Sequence, residues 1–262
     1  MSANARRSRP PRRPLGSSWD HVAGWYDGWV GGGGSTYHQR IAIPTALGLL
    51  DPRAGEAVLD VGAGQGVLAP HVVARGARYT GVDASPRLID AARRRHGGAG
   101  RFLVADARRL GTVPALRGAR FDAAVFLLSL QDMDPLADVL ASVSRLLRPT
   151  ARVVVLLTHP SFRQPRHSGW GFDEGRKLIF RRVDAYLTPM AVPMKSIGEG
   201  PPTRSFHRPL SAYVNGLAAL GFAIDAMVEP ADLPDDERPG RRPSPGNRNA
   251  DIPLFLGLRA RR

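Results

Sequence analysis

The stretch Val58 to Gly66, VLDVGAGQG, sets one Asp in an apolar run and follows it with three glycines within five positions. A buried strand ending in a glycine-rich turn opens a βαβ unit that binds a nucleotide-like ligand. Dinucleotide sites follow G-x-G-x-x-G, whereas Gly62-Ala63-Gly64-Gln65-Gly66-Val67 is one residue short of that spacing. The informative residue is Asp60, two positions ahead of the first glycine. A pyrophosphate settles on bare backbone N–H groups at a helix N-terminus, and a carboxylate placed there repels it. A ligand with a cationic or zwitterionic end accepts it.

Working outward from this turn, strand and helix patterns alternate. EAVLDV reads as a strand and GVLAPHVVARG as a helix; RYTGVD, RFLVAD, FDAAVFLL and RVVVLLT read as further strands. PRLIDAARRR and PLADVLASVSRLL carry helical periodicity between them. Such alternation predicts parallel βαβ units with right-handed crossovers. Near the end, a helix over PLSAYVNGLAALG precedes FAIDAMVE and IPLFLGLRA, two strands with no helix between them. They predict a hairpin, so the last strand runs antiparallel to the rest. Ahead of the alternation, Trp19, Val22, Trp25, Tyr26 and Trp29 recur at helical spacing, GGGG interrupts, and a second helix spans about residues 36–50, bent at Pro44. The expected organisation is a disordered basic tail over 1–17 and a single domain over 18–262. In that domain, helices over 18–50 form a cover and the core begins at 56. Long irregular insertions are expected at about 159–205 and 230–251. Both follow carboxyl ends of strands, where open α/β sheets bind ligands.

Asp83 ends the second strand about 20 residues past the first glycine, where a carboxylate can accept both ribose hydroxyls. Asp106, ending the third strand, suits an adenine amino group, with Ala107 supplying a backbone N–H. Three carboxylates on one sheet edge beside the turn point to S-adenosyl-L-methionine, which carries an ammonium and a sulfonium but no phosphate. At these motifs the chain resembles the class I S-adenosylmethionine-dependent methyltransferases, in particular the bacterial group related to quinone and small-molecule methyltransferases. VLDVGAGQG, GVDASPRLIDAAR, VADAR, FDAAVFLLSLQDMDP and LLRPTARVVV carry the resemblance in order over about residues 18–260. It implies a Rossmann-like, doubly wound, seven-stranded α/β sheet with an antiparallel last strand. It also implies that Asp60, Gly62 and Gly64 line the methionine portion, Asp83 the ribose, Asp106 the adenine, and Leu127 and Leu128 the cofactor face. Ala63, Ala84 and Tyr26 belong to the same expected set, and Tyr37 is the expected methionine-side contact. Pro149 is followed by Thr150 and Ala151 where the family has a glycine pair, which bears on the turn before the fifth strand.

The chain has 262 residues and a formal charge of +14, nearly all of it Arg. The only lysines are Lys177 and Lys195. Arg, Ala, Gly and Pro richness follows from GC-rich codon usage, and the basic tails lie outside near-neutral core segments, so nucleic acid is not the expected partner. There is no cysteine, which excludes disulfides, thiolate metal sites and Cys nucleophiles and fits a reducing cytoplasm. No apolar run reaches the roughly 20 residues of a membrane span, and no metal-ligand spacing is present.

On the acceptor side, Pro160 holds His159 extended beyond the sheet edge. His207, in RSFHRPL, resembles His-Arg-Pro segments near the acceptor pocket of related methyltransferases, and His159 and His207 are the candidate general bases. The insertion SGWGFDEGRKLIFRRVDAYLTPM mixes Trp170, Phe172, Phe180 and Tyr186 with arginines, suiting a lid over a flat or anionic acceptor. The expected function is O- or N-methylation of a small molecule in bacterial specialised metabolism. The alternatives are methylation of a peptide or RNA, C-methylation of a quinoid or prenyl-type substrate, and cofactor binding without transfer. Oligomeric state is left open.

Overall fold

Ala57–Val61 forms β1, buried along its whole length, and β4 (Phe121–Leu127) and the second half of β5 (Leu147–Thr158) are nearly as buried. Strands hidden on both faces need helices on both faces. The computed structural model describes residues 19–194, 202–234 and 252–262 and has this arrangement. The sheet also contains β2 (Arg78–Asp83), β3 (Arg101–Val104), β10 (Ala223–Val228) and β11 (Phe255–Arg261). Its seven strands run in the order β10-β11-β5-β4-β1-β2-β3. β1 pairs in parallel with β2 and β4, while β11 lies antiparallel between β5 and β10. The expected doubly wound sheet with its reversed last strand is present.

Side chains alternate between two cores, as a period of two demands. Val58, Val125, Val154 and Leu156 face one side, with Ala69, Val72 and Ile89 of α3 (Ala69–Val73) and α4 (Pro86–His96). Leu59, Phe126, Val153 and Val155 face the other, against Val139 and Val143 of α5 (Leu136–Ser144) and Tyr213 and Leu217 of α6 (Leu210–Ala218).

The expected cover divides into two parts. α1 (Ala23–Val30) packs beside α4, and Arg95 donates to Asp27 at its end. α2 (Ile43–Leu50) instead packs on the sheet, with Ile43, Leu47 and Leu50 in the first core. The helical path changes type just ahead of Pro44, the residue at which a bend is expected. Pro44 has no N–H to give and clashes with the carbonyl one turn back, and residues His38–Ala42 form a π-helical turn just before it.

The described residues of the segment over 159–205 are not an irregular loop. They form two hairpins, β6 (Ser168–Asp173) with β7 (Leu178–Val183), and β8 (Met190–Pro193) with β9 (Arg204–His207). Asp173 Oδ1 accepts from the Arg176 N–H at 2.9 Å and closes the first turn. The strands of the first hairpin are half-exposed and mixed in polarity, so their alternation is weak. Residues 148–150 bulge outward where the glycine pair is missing, since Phe121 pairs with Leu147 but Ala123 with Arg152. The tail expected over 1–17 and most of the 230–251 loop lie outside the described residues. No helix among the described residues is long and apolar enough to cross a membrane.

Gly66 holds the turn against the sheet. Its φ is +82°, and a Cβ there would lie 2.7 Å from Phe102 Cε1. Gly66→Ala is expected to destabilise the protein by roughly 2 kcal/mol through backbone strain and overpacking. Thermal unfolding should show Tm lower by about 4–8 °C.

Candidate active site

β1 delivers Gly62 to the carboxyl edge of the sheet, and the turn spends its N–H groups internally. Gly62 and Ala63 donate to Val82 O at 2.8 and 3.0 Å, and Gly64 donates to Asp83 Oδ2 at 2.9 Å. No row of bare amides is left for a phosphate. The approach is also close: a Cβ on Gly62 (φ +76°) would lie 2.5 Å from Ser129 Cβ.

Two cavities flank this turn. The larger, of about 940 Å³, is lined by Gly62, Gly64, Asp83, Ala84, Asp106 and Ala107, and closed by Leu127 and Leu128. Tyr26 and Trp19 cover it from the N-terminal side, their rings edge to face at 5.3 Å. Leu128 sits at φ +54° as β4 ends, a strained conformation of the kind found at functional edges. Asp83 Oδ1 accepts from the Ser85 N–H at 2.8 Å, and burial raises the carboxyl above its usual range. Asp106 is gripped by Arg108, through Nη2 at 2.7 Å and Nε at 2.9 Å, which lowers it.

The smaller cavity, of about 310 Å³, lies under the turn between Asp60, Ala63, Gln65, His38 and Tyr26. Asp60 Oδ2 accepts from the Tyr79 hydroxyl at 2.6 Å, but Asp60 Oδ1 has no protein partner. Gln65 Nε2 donates to Gly31 O at 2.6 Å, which turns its oxygen inward, also without a partner. Two unpartnered buried acceptors on residues lining one cavity call for a donor-rich cation. Desolvation raises Asp60 to about 7 despite the Tyr79 hydrogen bond, and burial lowers His38 to about 4. Burial also pushes the Tyr26 phenol up, keeping it neutral.

The remaining expected residues fall elsewhere. Tyr37 lines neither cavity and packs against the first core, while its neighbour His38 takes the place by the turn. His159 also lines neither. Its Nε2 meets Glu229 Oε1 at 2.8 Å and its Nδ1 accepts from the Ser161 N–H at 3.2 Å, so it ties the end of β5 to the end of β10. His207 faces a separate narrow cleft and gives its Nε2 proton to Tyr186 O at 2.7 Å. Trp170 is held between Arg163 and Arg181, whose guanidinium carbons lie 5.7 and 5.2 Å from its ring centre. Phe172 and Phe180 are about half exposed, at 51% and 46%, so this hairpin is a surface element in the structure and lines neither cavity.

Among the cavity residues that carry no sequence expectation are Gln65, Arg108 and Asp132. Asp132 follows β4 in LLSLQDMDP and lines the large cavity. Desolvation raises its carboxyl to about 7, opposed by a hydrogen bond from Ser205 and the charge of Arg208. Among the described residues no group of three His, Asp or Glu could hold a metal ion.

Residues 59–155 match a family model described as a methyltransferase domain. A demethylmenaquinone methyltransferase of Tropheryma whipplei (strain Twist) is 36% identical over 124 residues, 47% of this chain and 49% of that protein. The chain thus spans about half the length of that relative. An S-adenosylmethionine-dependent methyltransferase from Mesorhizobium loti superposes with a TM-score of 0.66 at 25% identity, covering 88% of this chain and 100% of that one. A Burkholderia thailandensis 1,6-didemethyltoxoflavin-N1-methyltransferase, solved with 1,6-didemethyltoxoflavin and S-adenosylhomocysteine bound, shares the fold. Its TM-score is 0.52 at 20% identity, covering 100% and 98% of the two chains.

The unpartnered oxygens of Asp60 and Gln65 fit the ammonium end of S-adenosylmethionine. If Asp60 binds it as a carboxylate, affinity measured by calorimetry should fall as pH drops below about 7, by up to tenfold per unit. Asp60→Asn should flatten this dependence. Asp83→Ala should weaken the cofactor by about 1–3 kcal/mol. Unchanged affinity would remove Asp83 from the ribose contact.

Proposed function

We propose that this chain, which carries a class I S-adenosylmethionine-dependent methyltransferase domain, transfers a methyl group to a small-molecule acceptor, with Asp132 as the general base. The observation that carries the reading is the position of Asp132: a carboxyl raised to about 7, on the wall of the cavity that also holds Asp83 and Asp106. The cofactor supplies an activated methyl group when bound. Asp60 and Gln65 hold its ammonium, Asp83 its ribose, and Asp106 its adenine with Arg108 steadying the carboxylate. Tyr26 and Trp19 cover the site and keep water from it.

Methyl transfer demands alignment and a dry site, and it needs a base only when the acceptor carries a proton at working pH. A carboxyl that titrates near neutrality takes such a proton readily. The Ser205 hydroxyl orients Asp132 for this role. His159 is a positioning residue in this reading, because both its ring nitrogens are engaged outside the cavity. O- or N-methylation in specialised metabolism remains our first reading. C-methylation of a quinoid acceptor is the second, supported by a relative named as a C-methyltransferase of ubiquinone and menaquinone biosynthesis. Removal of a ring C–H proton would call on the same base.

Formation of S-adenosylhomocysteine across a panel of phenols, quinols, carboxamides and nitrogen heterocycles tests the reading. Turnover is expected with one of these classes, with a rate that rises through about pH 7. Asp132→Asn should lower kcat by about 10²–10⁴-fold and abolish that limb, with cofactor affinity unchanged. A variant with an unaltered pH profile would remove Asp132 from the chemistry, and no turnover with any acceptor would leave a cofactor-binding protein.

A further inference from the structure

A narrow cleft opens where β5 and β9 end, lined by Gln131, Gln164, Ser205, His207, Arg208 and Tyr213 among others. Its polar groups are unusually under-used. Gln164 is 2% exposed, yet neither Nε2 nor Oε1 of its amide has a partner among the protein atoms. Arg208 is 7% exposed; its Nη2 donates to Met133 O and Asp134 Oδ1, while its Nη1 has no partner. Gln131 Nε2 donates to Leu128 O at 2.6 Å, which fixes the amide and leaves Oε1 buried and unpaired.

These groups add up to two free donors, Gln164 Nε2 and Arg208 Nη1, and two free acceptors, Gln164 Oε1 and Gln131 Oε1. Flipping the Gln164 amide does not change the inventory. Leaving a buried polar group unpaired costs about 1–3 kcal/mol, so the cleft is built for an occupant that both gives and takes hydrogen bonds. A carboxylate offers only acceptors and would face the two glutamine oxygens. A ketone or quinone carbonyl would leave the same two oxygens bare. A carbonyl with an adjacent N–H satisfies both sets: the carbonyl oxygen takes Arg208 Nη1 and one amide N–H, and the N–H meets a glutamine oxygen.

The cleft is also adjacent to the proposed chemistry. Gln131 faces the cleft and Asp132, the next residue, faces the cofactor cavity. Ser205 lines the cleft and hydrogen-bonds Asp132, so the two spaces adjoin at this polar pair. We propose that this cleft binds the amide-type edge of the methyl acceptor, a primary carboxamide, lactam or cyclic imide, and presents the rest of the molecule to Asp132. The cleft's chemistry stands on its own groups; its assignment to the acceptor rests on the methyl-transfer reading.

The test uses benzamide and 2-pyridone as amide probes, with benzoate and acetophenone as controls, on the full chain and on Gln164→Leu. Binding is followed through the side-chain amide resonances of Gln131 and Gln164, and S-adenosylhomocysteine affinity is measured beside it. The amide probes should shift both resonances and bind at least tenfold more weakly to Gln164→Leu, while the cofactor product binds both proteins equally. Tm of Gln164→Leu should be no lower than wild type, because Leu removes an unsatisfied amide; a lower Tm would make Gln164 a structural residue and overturn the proposal. Equal binding of benzoate or acetophenone would also overturn it, as would amide resonances that no probe moves, which would leave ordered water as the only occupant. Amide binding without S-adenosylhomocysteine binding would support the cleft and overturn the methyl-transfer reading instead.

Discussion

The end of β2 holds the turn that follows β1. Val82 O receives the Gly62 and Ala63 N–H groups, and the Asp83 carboxylate receives that of Gly64. These three bonds join the middle of the sheet to the glycine turn, and each depends on β1 and β2 being parallel neighbours in register. The positive φ of Gly62, Gly64 and Gly66 is the backbone shape that lets the N–H groups reach back to that edge. With its amides used internally, the turn offers no phosphate cradle, and the ligand-facing chemistry passes to the acceptor oxygens around it.

Those oxygens are held in an unfavourable state. Asp60 and Asp132 both titrate near 7 because burial strips water from them, and the folded chain therefore binds more protons than the unfolded chain between about pH 4 and 7. Their burial lowers stability as pH rises through that window. The free amide of Gln164, Arg208 Nη1 and the bare oxygens of Gln65 and Gln131 are further departures from full satisfaction. Such groups are rare in native interiors, and here most of them lie around one sheet edge. The well-packed core on both faces of β1, β4 and β5 supports that cluster. A fold that satisfies its rules at one end and breaks them at the other marks the working end.

The two histidines show how position along the chain differs from position in space. His159 leaves β5 at the ligand edge, as its sequence context implies, yet the crossing of β10 brings Glu229 to it and closes it off. Asp132 reaches the cavity instead, from the LLSLQDMDP stretch after β4, where the sequence gives that carboxyl no role of its own. The hairpins over 159–205 have a similar lesson. Their alternation is blurred because β6 and β7 have neither a fully buried nor a fully polar face.

Sequence alone determined the doubly wound sheet, the reversed last strand and a sheet edge carrying Asp60, Asp83 and Asp106. These are written in local periodicity and in residue types at strand ends, which a chain carries before it folds. Only the tertiary structure decided which groups share a cavity and which of them go unpaired. Burial and hydrogen-bond satisfaction depend on segments far apart in sequence: Gln65 on Gly31, Asp132 on Ser205, and Gln164 on a cleft shared with Arg208. No local pattern encodes an absent partner, so the orphaned groups that define the site become visible only once the chain is packed.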